Sequence, residues 1–277
     1  MKKWMIVFCV GLALAGISFA DAPAEDPSGG VPKPEVNLPF PVGEVLVYEI
    51  YWGWVGVGRS VATTQWEWVD DRWCIAIRFR TRTSGVAERL YPVDDNVVTY
   101  IDGKTLRPIR FVTKLSAGGQ TRDEETVFDW ENMKARYTRR RGEGREDDTK
   151  EYEIQDNTRD LVSFMYFMRS TEFEENAKYE YEVVVNDKLY ELEVNSRGHE
   201  NVNLKNYGRV RSLRMDPRAS FDGVFVRRGE MVVWLADDER RILTKLEVDT
   251  PFASVKLLLR NVLGPGDDDW VKKGADE

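Results

Sequence analysis

Alternation with a period of two governs this chain from about residue 45 to residue 262. Val45, Val47, Glu49 and Tyr51 alternate with Leu46, Tyr48, Ile50 and Trp52, which gives one wholly apolar face and one mixed face. Trp73, Ile75, Ile77 and Phe79 repeat the pattern, with Arg78, Arg80 and Arg82 opposite them. Successive side chains on a pleated strand point to opposite faces, so this spacing predicts strands with one face on a core. Further strands are expected at Ser60–Trp68, Val86–Ile101, Leu106–Leu115, Gln120–Trp130, Lys134–Arg140, Lys178–Val185, Leu189–Ser196 and Val210–Met215. Glu230–Leu235, Arg240–Val248 and Phe252–Val262 complete the series. Turn formers separate them: Gly53–Gly58, Asp70-Asp71, Asp102-Gly103, Gly118-Gly119, Asn186-Asp187 and Arg197-Gly198.

One segment breaks the period. Leu161, Phe164, Met165 and Met168 fall at i, i+3, i+4 and i+7 behind Asn157-Thr158-Arg159-Asp160, which predicts a short amphipathic helix that packs on the sheet. The expected fold is therefore mainly β: a large antiparallel sheet forming an open or partly closed barrel or sandwich with one short central helix.

The ends read differently. Met1-Lys2-Lys3, the apolar run Trp4–Ile17 and the small residues Ser18 and Ala20 make a secretory signal peptide over residues 1–20. The run is shorter than the ~20 residues a membrane-spanning helix needs, and no later run approaches a span. Export is thus expected, to the periplasm or beyond the cell. Residues 21–41, rich in proline, read as a flexible leader. Residues 42–263 read as one β-rich domain, and residues 264–277, with Asp267-Asp268-Asp269, as an acidic flexible tail. Cleavage removes Lys2, Lys3 and Cys9 but no acid, so the net charge of −8 becomes −10 and Cys74 is left as the one thiol. No internal disulfide is then possible, and Cys74, between Trp73 and Ile75, is expected to be buried.

The reactive side chains are few. Two Cys and one His leave no Cys/His zinc site, and the acidic balance argues against nucleic acid as a partner. His199 is expected in an exposed turn, which leaves no nucleophile–histidine machinery. Gly53-Trp54-Val55-Gly56-Val57-Gly58 lacks the following helix and Lys-Ser/Thr of a phosphate loop. The pairs Asp70-Asp71, Asp94-Asp95 and Asp237-Asp238 are expected at strand reversals, where Asp favours turn geometry. Neither a catalytic residue, a metal site nor a cofactor is expected. The aromatic load is the remaining feature, and Trp52, Trp54, Phe164, Phe167 and Trp234 are the candidate ligand-binding residues.

Three stretches, in this order, resemble the DUF3108 family of exported bacterial proteins of unknown function. They are Phe40-Pro41-Val42-Gly43-Glu44 running into Tyr51-Trp52-Gly53, the helix Arg159–Arg169, and the closing hairpin Val233–Ile242. The resemblance implies a periplasmic β-rich protein and supplies no catalytic residue, cofactor or substrate. In the hairpin, Arg240 and Arg241 are expected to pair locally with the acids of the turn. The reading that follows is a non-catalytic periplasmic binding or envelope-assembly factor holding a lipid-like, glycan or protein ligand on a curved sheet. The alternatives are a carboxylate-based hydrolase of envelope polysaccharide and a structural partner that pairs through a sheet edge.

Overall fold

A computed structural model describes residues 28–221, 224–225, 231–249 and 253–265. The signal peptide, the first part of the leader and nearly all of the acidic tail lie outside the described residues. The strands of the first half are β1 (Val45–Trp52), β2 (Val55–Val69), β3 (Arg72–Thr83), β4 (Asp94–Ile101), β5 (Pro108–Ala117), β6 (Gln120–Asp129), β7 (Lys134–Arg140) and β8 (Asp148–Glu153). Between β3 and β4 stands the short helix α1 (Gly85–Leu90). Then come β9 (Thr158–Asp160), the helix α2 (Leu161–Met168), β10 (Lys178–Val185), β11 (Lys188–Leu204), β12 (Gly208–Phe221) and β13 (Val224–Phe225). The chain closes with β14 (Met231–Ala236), β15 (Leu243–Asp249) and β16 (Ser254–Leu263).

All the strands belong to one sheet. Its order is β8-β7-β6-β5-β4-β3-β2-β1-β16-β15-β14-β12-β11-β10-β9, with β13 paired to β12 off this path. Every neighbour on the path is antiparallel except β9, which runs parallel to β10. The path does not close, because β8 and β9 end it without pairing to each other. Only residues 154–157 separate these two edges in sequence. Side chains stitch the seam: Lys150 Nζ donates to the Asp187 carbonyl at 2.9 Å and Gln155 Nε2 to Glu182 Oε1 at 2.9 Å. The result is a barrel-like sheet with a laced edge, and β8 (Asp-Thr-Lys-Glu-Tyr-Glu) is charged and almost wholly exposed, as an edge that must not aggregate should be.

The antiparallel order sorts the connections to two ends. The β1–β2, β5–β6, β7–β8, β10–β11 and β15–β16 turns and α1 lie at one, the hairpin end. The β2–β3, β4–β5, β6–β7, β11–β12 and β14–β15 turns lie at the other, the leader end. Inward-facing Ile75, Ile77, Val97, Ile101 and Phe111 form the core with α2, whose Val162, Phe164, Tyr166 and Met168 are buried.

Several expectations are corrected. The helix begins at Leu161, because Asp160 caps it in a full capping box: Oδ1 accepts from the Val162 and Ser163 N–H groups, and Ser163 Oγ accepts from the Asp160 N–H. Asp160 Oδ2 also accepts from Thr99 Oγ on β4 at 2.6 Å, which fixes the helix inside the sheet. The strand expected from Val86 starts only at Asp94, since Ala87-Glu88-Arg89-Leu90 are strong helix formers and make α1. Arg197-Gly198 is no reversal: β11 runs through it with a register shift between Ser196 and Gly198, a bulge that glycine tolerates. Finally, the leader expected to be flexible through Pro41 packs in part. Trp73 Nε1 donates to the Val31 carbonyl at 2.7 Å, and Phe40 is buried edge-on to Tyr166 at 4.8 Å. Proline density deprives this segment of regular structure but not of aromatic contacts.

Candidate binding surface

The leader end is sealed around one buried carboxylate. Glu44, directly before β1, is fully buried, and Arg169, the C-cap of α2, clamps it with Nη1–Oε1 at 2.6 Å and Nη2–Oε2 at 3.0 Å. Arg240 of the β14–β15 turn reaches the same Oε2. Arg169 Nε donates to the Arg240 carbonyl at 2.9 Å, and its guanidinium lies over the rings of Phe40 and Tyr166, each 5.2 Å away. Burial works against the Arg169 charge, but the Glu44 carboxylate outweighs it and holds the Arg169 pKa above its ordinary value. Burial, reinforced by Glu44, also pushes up the Tyr166 phenol. This cluster is a three-way clasp between β1, α2 and the β14–β15 turn, with its bidentate geometry fully used.

The clasp corrects the expected local pairing in the turn. The Arg240 and Arg241 N–H groups do donate to Asp238 Oδ1 at 3.0 and 2.9 Å, but the Arg240 side chain goes to Glu44. Arg241 turns back to the Arg169 carbonyl at 3.3 Å. Beside the clasp, residues 34–42, Trp66, Glu239 and Arg240 line an open groove of about 710 Å³.

The inward face of β2–β7 turns polar towards the hairpin end. Ser60 and Thr81 share a hydrogen bond of 2.7 Å across β2 and β3. Next to them Asp95 is 3% exposed, with Oδ1 accepting from the Ser116 N–H at 2.9 Å and Oδ2 without a partner among the described residues. Beyond Thr113, Glu124 faces Arg122 at 3.2 Å and Arg139 at 3.9 Å. Asp95 was expected in a strand reversal. It stands inside β4 on the same face as Val97, Thr99 and Ile101, while Asp94 points out to Arg82 at 2.9 Å. Burial pushes the Asp95 pKa from the ordinary 3.8 to about 7; the Ser116 N–H opposes this rise and Asp94 adds to it. Asp70 pairs outward with Arg110. Asp237 pairs with Arg211 at 2.9 Å and with His199 Nε2 at 3.2 Å. His199 is not in an exposed turn but within β11, where its other nitrogen meets Glu175. Cys74 is buried, and burial raises its thiol to about 11.

The hairpin end presents apolar side chains to solvent. β1 and β2 are joined by the two-residue turn Gly53-Trp54, with Gly53 at φ +61°, as glycine at the first central position of a type II′ turn allows. Its amide donates to the Ser254 carbonyl at 2.8 Å, which ties the hairpin to β16. The tip carries Trp52, 55% exposed, Trp54, 90% exposed, and Val55. Alongside stands α1, docked on β2 and β3 and anchored where the Ser84 N–H donates to the Val57 carbonyl at 3.1 Å. None of its residues is buried, and Val86 and Leu90 are 71% and 79% exposed, with Tyr91 half exposed after them. The Tyr91 ring rests on the β5–β6 turn, so closely that a Cβ at Gly118 would stand 2.6 Å from it.

The five aromatic residues singled out from sequence therefore lie in three places. Trp52 and Trp54 share the hairpin tip. Phe164 and Phe167 are on α2 and both meet Tyr181, at 5.1 and 5.9 Å. Trp234 is buried in β14, its indole N–H donating to Glu200 Oε2 at 2.8 Å and its ring covered by Lys245 at 4.0 Å. Sequence reasoning missed Val55, Val86, Leu90 and Tyr91. The i, i+4 spacing of Val86 and Leu90 was the available signal.

The model of a protein family of unknown function, DUF3108, matches residues 47–260, nearly all of the folded domain. The chain belongs to the DUF3108 family. The three stretches that carry the resemblance meet at the clasp, one contributing Glu44, the next Arg169 and the last Arg240. No curated protein matches the chain. Among solved structures it is similar to a beta-barrel-like protein of the domain of unknown function DUF1849 from Brucella abortus, at 14% identity and a TM-score of 0.57. That similarity covers 83% of this chain and 99% of the other, and it extends to the fold alone.

Proposed function

We propose that this DUF3108 protein is a non-catalytic, exported binding factor of the cell envelope, placed in the periplasm by its signal peptide, and that it engages an apolar, lipid-like partner with its hairpin end. The observation that carries this reading is the grouping of Trp52, Trp54, Val55, Val86 and Leu90 on two neighbouring projections, all strongly exposed. Single exposed apolar residues are ordinary, but a contiguous set on one end of a soluble domain marks an interaction surface. Trp54 alone leaves on the order of 200 Å² of ring uncovered. The non-catalytic part rests on the inward-facing acids: Glu44 is clasped, Asp160 caps α2, and Asp95 is closed off from solvent.

A titration of the mature chain with the fluorescent fatty acid cis-parinaric acid tests this. Saturable enhancement is expected, weakened at least about tenfold in Trp52→Ser/Trp54→Ser, since each lost ring is worth roughly 1.5–3 kcal/mol of burial. A wild-type chain giving no saturable enhancement, or a double variant that binds undiminished, would refute it.

A further inference from the structure

We infer that the partner of the hairpin end is the polar–apolar boundary of a phospholipid bilayer, so that the domain stands on a membrane by Trp52, Trp54, Val86, Leu90 and Tyr91. The inference rests on the proposed function and narrows it. Three observations favour a lipid surface over a folded partner.

The first is shape. The exposed apolar side chains sit on two convex points, a two-residue hairpin turn and a helix of six residues, and not in a groove. The large groove of the domain lies at the opposite end, against the leader. Two protrusions fit a fluid layer without a matching relief, whereas a rigid partner needs complementary pockets.

The second is chemistry. Trp and Tyr carry an apolar body and one polar handle, and they concentrate at the headgroup level of bilayers, with aliphatic residues reaching deeper. Here two Trp and one Tyr flank Val55, Val86 and Leu90. Three backbone amides at these points are met internally: Gly53 by the Ser254 carbonyl, Ser84 by that of Val57, and Tyr91 by that of Ala87. The remaining amides of the first turn of α1 suit the headgroup level, where phosphate and water can accept from them.

The third is charge. The whole chain carries −8, yet the two projections themselves, segments 52–59 and 83–92, hold Arg59, Arg89 and Glu88 as their only ionisable acids and bases apart from Tyr91, while the acids of this end, such as Glu143, Glu146 and Asp187, stand on other turns. Headgroups of an anionic leaflet attract the slight positive balance of these two points and repel the acidic surface around them, which favours contact by the points alone. No helix among the described residues is long and apolar enough to cross a membrane, so the contact envisaged here is made from the surface.

Flotation of the mature chain with vesicles of phosphatidylcholine, with and without phosphatidylglycerol, is the test. Co-flotation is expected, stronger with phosphatidylglycerol and accompanied by a blue shift of tryptophan emission. Trp54→Ser/Leu90→Ser should partition at least about tenfold more weakly while its thermal unfolding stays that of the wild type, because both side chains are solvated in the free protein. Wild-type protein that stays at the bottom of both gradients overturns the inference, as does co-flotation that the double variant leaves intact. Sedimentation that finds a dimer dispersed by Leu90→Ser, with no co-flotation, assigns the surface to a second copy and overturns it too. Binding of cis-parinaric acid without flotation sinks the bilayer and leaves the proposed function standing; loss of both sinks both.

Discussion

Replacing Asp95 by Asn should remove a pH dependence that the fold imposes on itself. The Asp95 carboxyl lies on the inner face of β4, keeps one accepted hydrogen bond from Ser116, and has no partner for Oδ2 among the described residues. Burial lifts its pKa from 3.8 to about 7, so the folded chain holds a proton that the unfolded chain releases. The sign follows: the folded-state value is the higher one, so this group's contribution is intact below about pH 4, declines as pH rises to about 7, and is flat above that. A gap of about three units corresponds to about 4 kcal/mol at most, and relaxation of the sheet and water entry bring the expectation down to about 2–4 kcal/mol. Asn carries the shape of the neutral acid without the proton. Urea unfolding followed by tryptophan emission at pH 4, 6 and 8 supplies the measurement. Asp95→Asn should match the wild type at pH 4 and exceed it by about 2–4 kcal/mol at pH 8. Subtracting the two curves cancels the carboxylates that titrate elsewhere. A difference that stays flat from pH 4 to 8, or that grows towards low pH, refutes the reasoning.

Two further outcomes follow from buried groups. Glu44→Leu leaves the Arg169 guanidinium buried beside Tyr166 without its carboxylate and should cost about 3–5 kcal/mol, whereas Glu44→Met/Arg169→Met, which removes the two fully buried charges and leaves only the partly exposed Arg240, should recover part of that in the same urea assay; equal losses in the two variants would contradict the clasp. Cys74, with its thiol raised to about 11, should resist iodoacetamide at neutral pH until urea unfolds the sheet, and labelling at the rate of a free thiol in the native protein would contradict its burial.

The strands were legible where one face is core and the other is solvent. Lys134–Arg140 and Lys178–Val185 emerge with the bounds that their alternation predicts. The pattern fails where that asymmetry fails. β8 is invisible because an exposed edge strand of Asp, Thr, Lys, Glu, Tyr and Glu has no apolar face to alternate. The Gly198 bulge reads as a turn, because a glycine that relieves a register shift and one that reverses the chain look alike in sequence. α1 is a single turn and a half with no buried face, so it lacks the amphipathic stripe that made α2 readable. Of the candidate surface, the rings at 52 and 54 were readable as rings. Their exposure was not, since the apolar side of Ile50 and Trp52 is one continuous pattern in sequence and divides only where β1 runs past the end of the core. The clasp was beyond reach for another reason: its members are 125 and 196 residues apart, and nothing local records a pairing over such distances.

That distance also explains why family membership tells so little about activity here. The stretches that carry the resemblance are those that hold Glu44, Arg169 and Arg240, and each of these side chains is occupied in joining β1, α2 and the β14–β15 turn. Both carboxylate oxygens of Glu44 are engaged by guanidinium groups, and the Arg169 guanidinium lies over the rings of Phe40 and Tyr166, so the charges of the clasp are committed to one another. Arg169 and Arg240 lie within the family match over residues 47–260 and Glu44 just before it, and together they seal the sheet at its leader end. The proposed binding surface, by contrast, consists of exposed side chains on a hairpin turn and a helix at the other end of the sheet. On the proposed function, stability and recognition fall at opposite ends. Substitutions at Trp54 or Leu90 should therefore alter binding with little effect on folding, while substitutions at Glu44 should do the reverse.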